Sequence, residues 1–149
     1  MTQEEKQLLL IDLCARLLYG VQVCYKIHLE DAPIDVTLSG LLLDYFNNKT
    51  VVEIKPYLRP MSSMTEEEIL ELYKIAYTTW YSDSLYYKYE EWITFRDSIQ
   101  NNTLCFKSSI WLSNVNKVID WLNSHHFDYR GLIKKGLALE APEGMYKTN

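Results

Sequence analysis

The spacing of hydrophobic residues changes at Gly20 from the period of a helix to the period of a strand. Before it, leucines recur about every 3.6 residues up to Leu18, which is the spacing of one apolar helical face. After it, apolar and polar residues alternate from Val21 to Glu30, as in a strand with one buried face. Gly20 itself favours the left-handed backbone that ends a helix. A chain that carries both periods side by side predicts an α+β fold.

Two capping boxes mark helix starts. Thr2 and Thr65 each stand three residues before a glutamate, so that hydroxyl and carboxylate can satisfy backbone N–H groups that a helix leaves unpaired. The first box predicts a helix over residues 3–18, and the second predicts a helix over residues 66–80. In the first helix we expect Cys14 to be buried with the leucines.

Three strands are predicted between these helices. Residues 21–29 form the first, and residues 36–46 form the second, in which Gly40 marks a bulge. The β-branched residues of 50–55 form the third strand, and the three strands together make an antiparallel meander. The prolines within residues 55–60 restrict their neighbours, so no regular structure is expected there.

The second half of the chain predicts shorter elements, because its many aromatic residues fit both periods. The expected elements are a helix near 88–99, a turn at Asn101 and Asn102, a strand at 103–107, a helix capped by Ser113 or Asn114, a helix at 129–135 and coil over 137–145.

Length and composition fit one compact domain over residues 1–149, a short antiparallel sheet covered by helices. A chain of 149 residues, 48% of them hydrophobic, buries about two thirds of the surface that its unfolded form exposes. No apolar run approaches the ~20 residues of a membrane span, and the acidic start at Met1–Lys6 is unlike a secretory signal. We therefore expect a cytosolic location and no membrane partner.

The net charge of −5 disfavours binding to duplex nucleic acid, which needs a dense basic face. Residues 1–95 carry eight Lys and Arg against fifteen Asp and Glu, a net of −7. The chain has three cysteines without a C-x-x-C pair, as is typical of a reduced compartment. One of them, Cys105, has no neighbouring base in sequence that would activate it as a nucleophile.

A search for catalytic and cofactor motifs is negative. The sequence has no phosphate-binding loop, no dinucleotide-binding glycine motif, no zinc-protease motif and no paired Cys and His spacing for a metal. No cofactor, metal site or catalytic residue is therefore predicted, and a non-enzymatic role is favoured.

The first candidate binding site lies at the junction of two predicted helices and comprises His125, His126, Asp128, Tyr129 and Arg130. Imidazole titrates near neutral pH, so a histidine there can act as acid, base or ligand contact. Adjacent histidines point in different directions on a regular element, which disfavours a shared metal. The alternative is structural, with one histidine bonded to a backbone carbonyl and the other solvated.

Tyr57 and Arg59 form the second candidate site, on a loop between two prolines and before a helix start. Free N–H groups there and an Arg fork can bind phosphate, whereas the three glutamates of that helix repel an anion. Trp80 and Tyr81 form a third candidate within a dense aromatic run, where exposed rings suit a nucleobase or a protein partner. The alternative is that these aromatic residues belong to the core.

Two long segments of the sequence are distinctive, KPYLRPMSSMTEEE at residues 55–68 and DWLNSHHFDYRGLIKKGLALEAPEGMY at residues 120–146. With the opening MTQEEKQLLL, they resemble a family of small proteins encoded by gut Bacteroidales, their prophages and their phages. The aromatic middle at 78–112 does not follow the family pattern. The resemblance implies a cytosolic accessory protein of a mobile element, and it implies no particular activity.

Three functions follow as hypotheses. The first is a counter-defence binding protein, a sponge that sequesters a small nucleotide-derived signal in the host cytosol and forms a homo-oligomer. The second is a protein–protein inhibitor of a host defence enzyme, which would use the aromatic run and the acidic part of the chain. The third is an enzyme with an unfamiliar site around His125 and His126.

Overall fold

The computed structural model describes residues 1–77, 89–106, 110 and 112–147. In these ranges the chain forms five α-helices and a four-stranded sheet, which confirms the predicted α+β class. Two compact units are formed, the first by Met1–Leu58 with Gly131–Asn149 and the second by Arg59–Arg130. None of the helices in the described ranges is long and apolar enough to cross a membrane.

The first helix, α1 (Gln3–Arg16), begins at the predicted capping box. The Thr2 N–H donates to Glu5 Oε2 at 2.6 Å, and the Glu5 N–H donates to Thr2 Oγ1 at 3.1 Å. A single 3-10 turn follows, and Gly20 ends it with φ of 68°. The predicted helix start and the left-handed glycine are both confirmed.

The buried face of α1 differs from the predicted one. Cys14 is exposed, against our expectation, and Leu18 is 91% exposed. The face that turns inward carries Asp12 and Arg16, both fully buried, whose side chains pair at 2.8 Å. Because the two opposite charges neutralise one another, the helix can bury them. The leucine pattern takes no account of charged residues, so it predicted the wrong inward face for α1.

The sheet has four strands, β1 (Gln22–Lys26), β2 (Ile34–Thr37), β3 (Glu53–Leu58) and β4 (Leu139–Glu140). Their order in the sheet is β2-β1-β3-β4. Its first strand in sequence, β1, pairs antiparallel with both β2 and β3, while β3 pairs parallel with β4. The sheet is therefore mixed. The first strand, β1, lies between β2 and β3, whereas the predicted meander placed the second strand in the middle.

The predicted strand over residues 36–46 is wrong beyond Thr37. Helix α2 (Gly40–Asn47) follows, and the Ser39 hydroxyl caps it by accepting from the Leu42 N–H at 3.2 Å. A serine N-cap sets the helix start more strongly than the adjacent apolar residues favour a strand. Gly40 accordingly opens a helix and does not mark a bulge.

The expectation of irregular structure after Lys55 is also wrong, because β3 runs through Pro56 to Leu58. The residue before a proline is restricted to extended backbone, which is the conformation of a strand. Pro56 is the last residue of β3 that pairs with β1, and pairing with β4 begins at Tyr57. A residue without an N–H is tolerated at such a position.

The described part of the second unit contains three α-helices, α3 (Glu66–Tyr77), α4 (Tyr89–Gln100) and α5 (Leu112–Ser124). The predicted start of α3 is confirmed by two hydrogen bonds between Thr65 and Glu68. Its predicted core face is buried, although residues 78–80 lie outside the described ranges. The predicted helix near 88–99 and the turn at Asn102, with φ of 56°, are confirmed as well.

Four smaller predictions fail in this half of the chain. Residues 103–106 form no strand, and residues 129–135 form turns in place of a helix. Asn114 lies inside α5, where its amide donates to the Ala76 carbonyl at 3.1 Å and fastens α5 to α3. The tail at 137–145 includes β4, which local sequence could not show because its partner strand is distant.

Candidate functional site

The structure places the predicted site residues in different parts of the chain. Tyr57 belongs to the first unit, whereas Arg59 and the segment from His125 to Arg130 belong to the second. Trp80 and Tyr81 lie outside the described residues.

Arg59 is brought to the histidine segment by a short parallel bridge with Phe127. The Arg59 N–H donates to the His126 carbonyl at 2.8 Å, and the Asp128 N–H donates to the Arg59 carbonyl at 2.8 Å. Arg59 therefore adjoins the histidine segment, which the sequence treated as a separate candidate site.

The Arg59 guanidinium is held by groups of the protein itself. It forms two hydrogen bonds with the Glu68 carboxylate, at 2.8 and 3.0 Å, and its carbon lies 4.2 Å from the centre of the Phe127 ring. Burial alone would raise the pKa of Glu68, but hydrogen bonds from Arg59 and Thr65 outweigh it and lower that pKa. An anion at Arg59 would have to replace this bidentate partner.

Three rings extend this contact into a stack. Phe127 lies 5.7 Å from Trp121 with an angle of 10° between the rings, and Trp121 lies 4.0 Å from His125 at 22°. We call Arg59, Phe127, Trp121 and His125 the stacked column. The Trp121 indole N–H is buried and has no hydrogen-bond partner among the described residues.

The His125 ring has a defined tautomer in its neutral form. Its Nδ1 lies 2.9 Å from the Trp121 carbonyl oxygen, which can only accept a hydrogen bond. Nδ1 therefore carries the proton, and Nε2 keeps the lone pair. This bond to a backbone carbonyl agrees with one part of the structural alternative. The other part expected a solvated histidine, whereas His126 is buried.

His126 has a backbone role. Its φ of 61° places it in the left-handed region that few residues other than glycine adopt. Its N–H donates to the Asn123 carbonyl at 3.1 Å, which ends α5 and turns the chain toward Arg59. The buried ring therefore lies at a tight helix end.

Tyr129 and Arg130 complete the segment. The Tyr129 hydroxyl donates to Asn123 Oδ1 at 3.2 Å, and the Arg130 guanidinium lies 4.9 Å from the centre of the Tyr129 ring. Together with Arg59 and His125, these contacts make the segment a hydrogen-bonded and stacked element of the second unit.

Tyr57 lies on the polar face of the sheet, beside a carboxylate and a thiol. Its hydroxyl donates to Asp35 Oδ1 at 2.9 Å. Burial raises the pKa of Tyr57 to about 12, and the Asp35 carboxylate adds to the rise. Burial and Asp35 likewise raise the pKa of the Cys24 thiol, which keeps it protonated and disfavours a nucleophilic role.

An open apolar cleft of about 350 Å³ lies between α2 and the adjacent strands of the first unit. We call it the α2 cleft. None of the described residues that line it carries a charge. They are Tyr25, Ile27, Val36, Thr37, Ser39, Leu41, Leu42, Tyr45, Thr50 and Val51.

The rim of the α2 cleft exposes hydrophobic side chains to solvent. Leu41 is 61% exposed, Tyr45 is 42% exposed and Ile27 is 41% exposed. The sequence did not predict this site, because residues 36–46 were expected to form a strand. The signal that could have revealed it is Ser39, a preferred N-cap residue directly before Gly-Leu-Leu-Leu.

A second cavity, of about 360 Å³, also belongs to the first unit. Its lining is more polar and includes Glu5, Glu53, Lys55 and Lys135. Lys55 and Glu53 pair with each other at 2.9 Å, so their charges are balanced within the protein. This cavity is therefore less suited than the α2 cleft to a hydrophobic ligand.

Together these features define an α+β protein with an open, uncharged cleft beside the edge of its sheet. Within the described ranges, no group of three His, Cys, Asp or Glu side chains could hold a metal ion. Comparison with protein-family models, curated proteins and solved structures found no match for the chain.

Proposed function

We propose that the chain is a non-enzymatic binding protein that sequesters a small, neutral and largely apolar molecule in the α2 cleft. The observation that carries the proposal is the cleft itself, whose 350 Å³ lies within the range of small-molecule sites. Such sites combine apolar walls with a few polar groups that orient the ligand. Here Thr37, Ser39 and Thr50 supply hydroxyl groups beside two tyrosine rings.

The charges of the described residues favour a neutral ligand over an anionic nucleotide. The α2 cleft has no cationic side chain among its lining residues to balance a phosphate. Arg59, the cation expected to bind phosphate, is paired with Glu68. Nucleotide-derived signals are therefore still included in the binding test. The base of such a molecule suits the cleft, whereas its phosphates do not.

The biological setting that we propose is a phage or prophage protein that acts against a defence system in the cytosol of a bacterial host. Support for this setting comes from the resemblance of residues 55–68 and 120–146 to proteins of mobile elements. A sponge fits that setting because it removes a signal by binding and needs no catalytic group. We further propose a homo-oligomer.

A second candidate function is inhibition of a host protein, with the cleft rim as the contact surface. The specific observation is the exposed aliphatic surface at that rim, where Leu41 is 61% exposed and Ile27 is 41% exposed. Exposed apolar patches often mark protein contacts. A small-molecule test separates the two candidates, because only a sponge binds a free ligand with high affinity.

The test uses N-phenyl-1-naphthylamine, a neutral aromatic probe whose fluorescence rises in an apolar site. We expect saturable binding to the wild-type chain and an affinity loss of tenfold or more for Leu41→Glu, which places a charge at the rim. Leu18→Glu is the matched control, because Leu18 is 91% exposed and does not line the cleft. Equal binding by the two variants, or no saturable binding by the wild type, would overturn the proposal.

Candidate ligands are then ranked by displacement of the probe. A neutral nucleobase or another flat apolar molecule should displace it, whereas its phosphorylated form should displace it less well. If only phosphorylated compounds displace the probe, the assignment of a neutral ligand is wrong. Should a host protein, and no small molecule, bind in a Leu41-dependent manner, inhibition becomes the better assignment.

A further inference from the structure

Strand β2 lies at one edge of the sheet in the order β2-β1-β3-β4, and among the described residues it pairs with β1 alone. The Leu38 N–H donates to the Val21 carbonyl at 2.9 Å, which fixes the phase of the pairing. In an antiparallel ladder, every second residue bonds to the same neighbour. Ile34, Val36 and Leu38 therefore direct their backbone groups toward β1, and Asp35 and Thr37 direct theirs away from the sheet.

We propose that two copies of the chain pair through β2, antiparallel and about a two-fold axis at Val36, to form one eight-stranded sheet. In this register Asp35 lies opposite Thr37 of the other copy, and Thr37 lies opposite Asp35. Each such pair exchanges two hydrogen bonds. The four bonds satisfy every outward N–H and carbonyl group of Asp35 and Thr37 on both strands.

Neighbouring registers are less favourable for reasons visible in the sequence. A two-fold axis at Asp35 would set the two Asp35 carboxylates directly opposite each other, where like charges repel. It would also pair Thr37 with Pro33, which has no N–H to donate. An axis at Thr37 would pair Asp35 with Ser39, the residue that caps α2 and lies outside the strand.

Side-chain placement supports the same arrangement. Asp35 and Thr37 lie on the polar face of the sheet, bonded to Tyr57 at 2.9 Å and to Gln22 at 2.8 Å. Alternation along the strand then puts Ile34 and Val36 on the opposite face, and Val36 lines the α2 cleft. Ile34 is 43% exposed in the single chain, and pairing would give its side chain apolar neighbours from the second copy.

The consequence for the site is that two α2 clefts would meet at the two-fold axis. Val36 lines one cleft, and Val36 of the other copy would stand beside it at the junction. The pair of chains would thus present one longer apolar surface. This interface stands independently of the proposed ligand, because its test measures mass and cross-linking and uses no ligand.

The first test is sedimentation velocity of the full chain over a range of concentrations, in which mass should rise from 17.6 kDa toward twice that value. Thr37→Pro removes the outward N–H, two intermolecular bonds per dimer, and leaves the ladder to β1 intact. Thr37→Val is the matched control, because it also lacks the threonine hydroxyl but keeps the N–H. We expect Thr37→Pro to weaken dimerisation by tenfold or more and Thr37→Val to dimerise like the wild type.

The second test fixes the register by disulfide cross-linking, in chains whose three native cysteines are replaced by serine. Opposed residues of a non-hydrogen-bonded pair have Cα atoms about 4.5 Å apart, within the range that a disulfide spans. Val36→Cys should therefore cross-link under mild oxidation. Thr37→Cys should cross-link at least tenfold more slowly, because the two Thr37 residues are diagonal neighbours about 7–8 Å apart.

Circular dichroism confirms that each variant is folded before it is compared. A wild-type chain that stays monomeric up to millimolar concentration would overturn the proposal. So would a Thr37→Pro variant that dimerises like Thr37→Val, or a Thr37→Cys chain that cross-links as fast as Val36→Cys.

Discussion

The buried ion pair of α1 predicts a large loss of stability when one of its charges is removed. Asp12 and Arg16 are both fully buried, and two hydrogen bonds at 2.8 and 3.1 Å join them. Asp12→Ala would leave a guanidinium charge inside the first unit without this carboxylate. Breaking such a pair costs about 3–5 kcal/mol, because the remaining charge is desolvated and unbalanced.

Urea unfolding followed by circular dichroism measures the effect. With a denaturant slope of about 2 kcal/mol per molar, the predicted loss lowers the midpoint by about 1.5–2.5 M. The double variant Asp12→Leu with Arg16→Met removes both charges at similar volume. We expect it to recover most of the lost stability, since replacement of a whole buried pair is often neutral.

A matched surface pair provides the control. Lys55 and Glu53 also pair at 2.9 Å, but about a third of each side chain is exposed. Glu53→Ala should therefore change the free energy of unfolding by less than about 1 kcal/mol. The reasoning is refuted if Asp12→Ala loses no more than Glu53→Ala, or if the double variant is as unstable as Asp12→Ala alone.

Three further predictions concern the second unit, the tail and α2. The Glu68 pKa is lowered in the folded chain, so its contribution to stability is present above its ordinary value of 4.5 and is lost as pH falls through the lowered pKa. Glu68→Gln should flatten this acid-side loss in pH-dependent unfolding, whereas Glu67→Gln, at an exposed position, should not. Burial raises the Tyr146 pKa to about 12, so its contribution is complete below pH 10 and is lost as pH rises through 12. Tyr146→Phe should remove that alkaline slope and lower the unfolding free energy by about 1–2 kcal/mol, because it deletes the hydroxyl's hydrogen bonds. Ser39→Ala removes the cap of α2 and should lower the unfolding free energy by about 1 kcal/mol, with weaker probe binding in the α2 cleft.

Each of these predictions has a contrary result. Parallel acid-unfolding curves for Glu68→Gln and wild type would contradict the first. For the tail, a Tyr146→Phe chain that keeps both the alkaline slope and full stability would contradict the hydrogen-bond account. For α2, undiminished probe binding by Ser39→Ala would show that the cap does not maintain the cleft.

Local sequence signals predicted the elements whose cause is local. The capping boxes at Thr2 and Thr65 fix helix starts through contacts three residues apart, and both starts are observed. Gly20 was predictable for the same reason, since its left-handed backbone is an intrinsic preference. The α+β class followed from the change of period around it.

Features that depend on distant partners were not predictable in this way. The inward face of α1 carries a buried charge pair, and β4 forms only by pairing with β3. Arg59 pairs with Phe127, which lies near the opposite end of the second unit in sequence. For the candidate site, the residues around His125 could be grouped because they are close in sequence, but their mutual hydrogen bonds and ring stacking could not be predicted. The α2 cleft was missed because short apolar runs fit a strand and a helix equally well.

The order in which the chain leaves the ribosome has a consequence for the first unit. The sheet of the first unit includes β4, and the whole second unit, Arg59–Arg130, is synthesised between β3 and β4. The second unit is continuous in sequence and can close while the first still lacks a strand. Tyr146 then donates to the Tyr57 carbonyl at 2.8 Å and accepts from the Gln22 N–H at 2.9 Å. During translation, therefore, the edge of β3 that later pairs with β4 is exposed to non-native strand pairing until β4 has been synthesised.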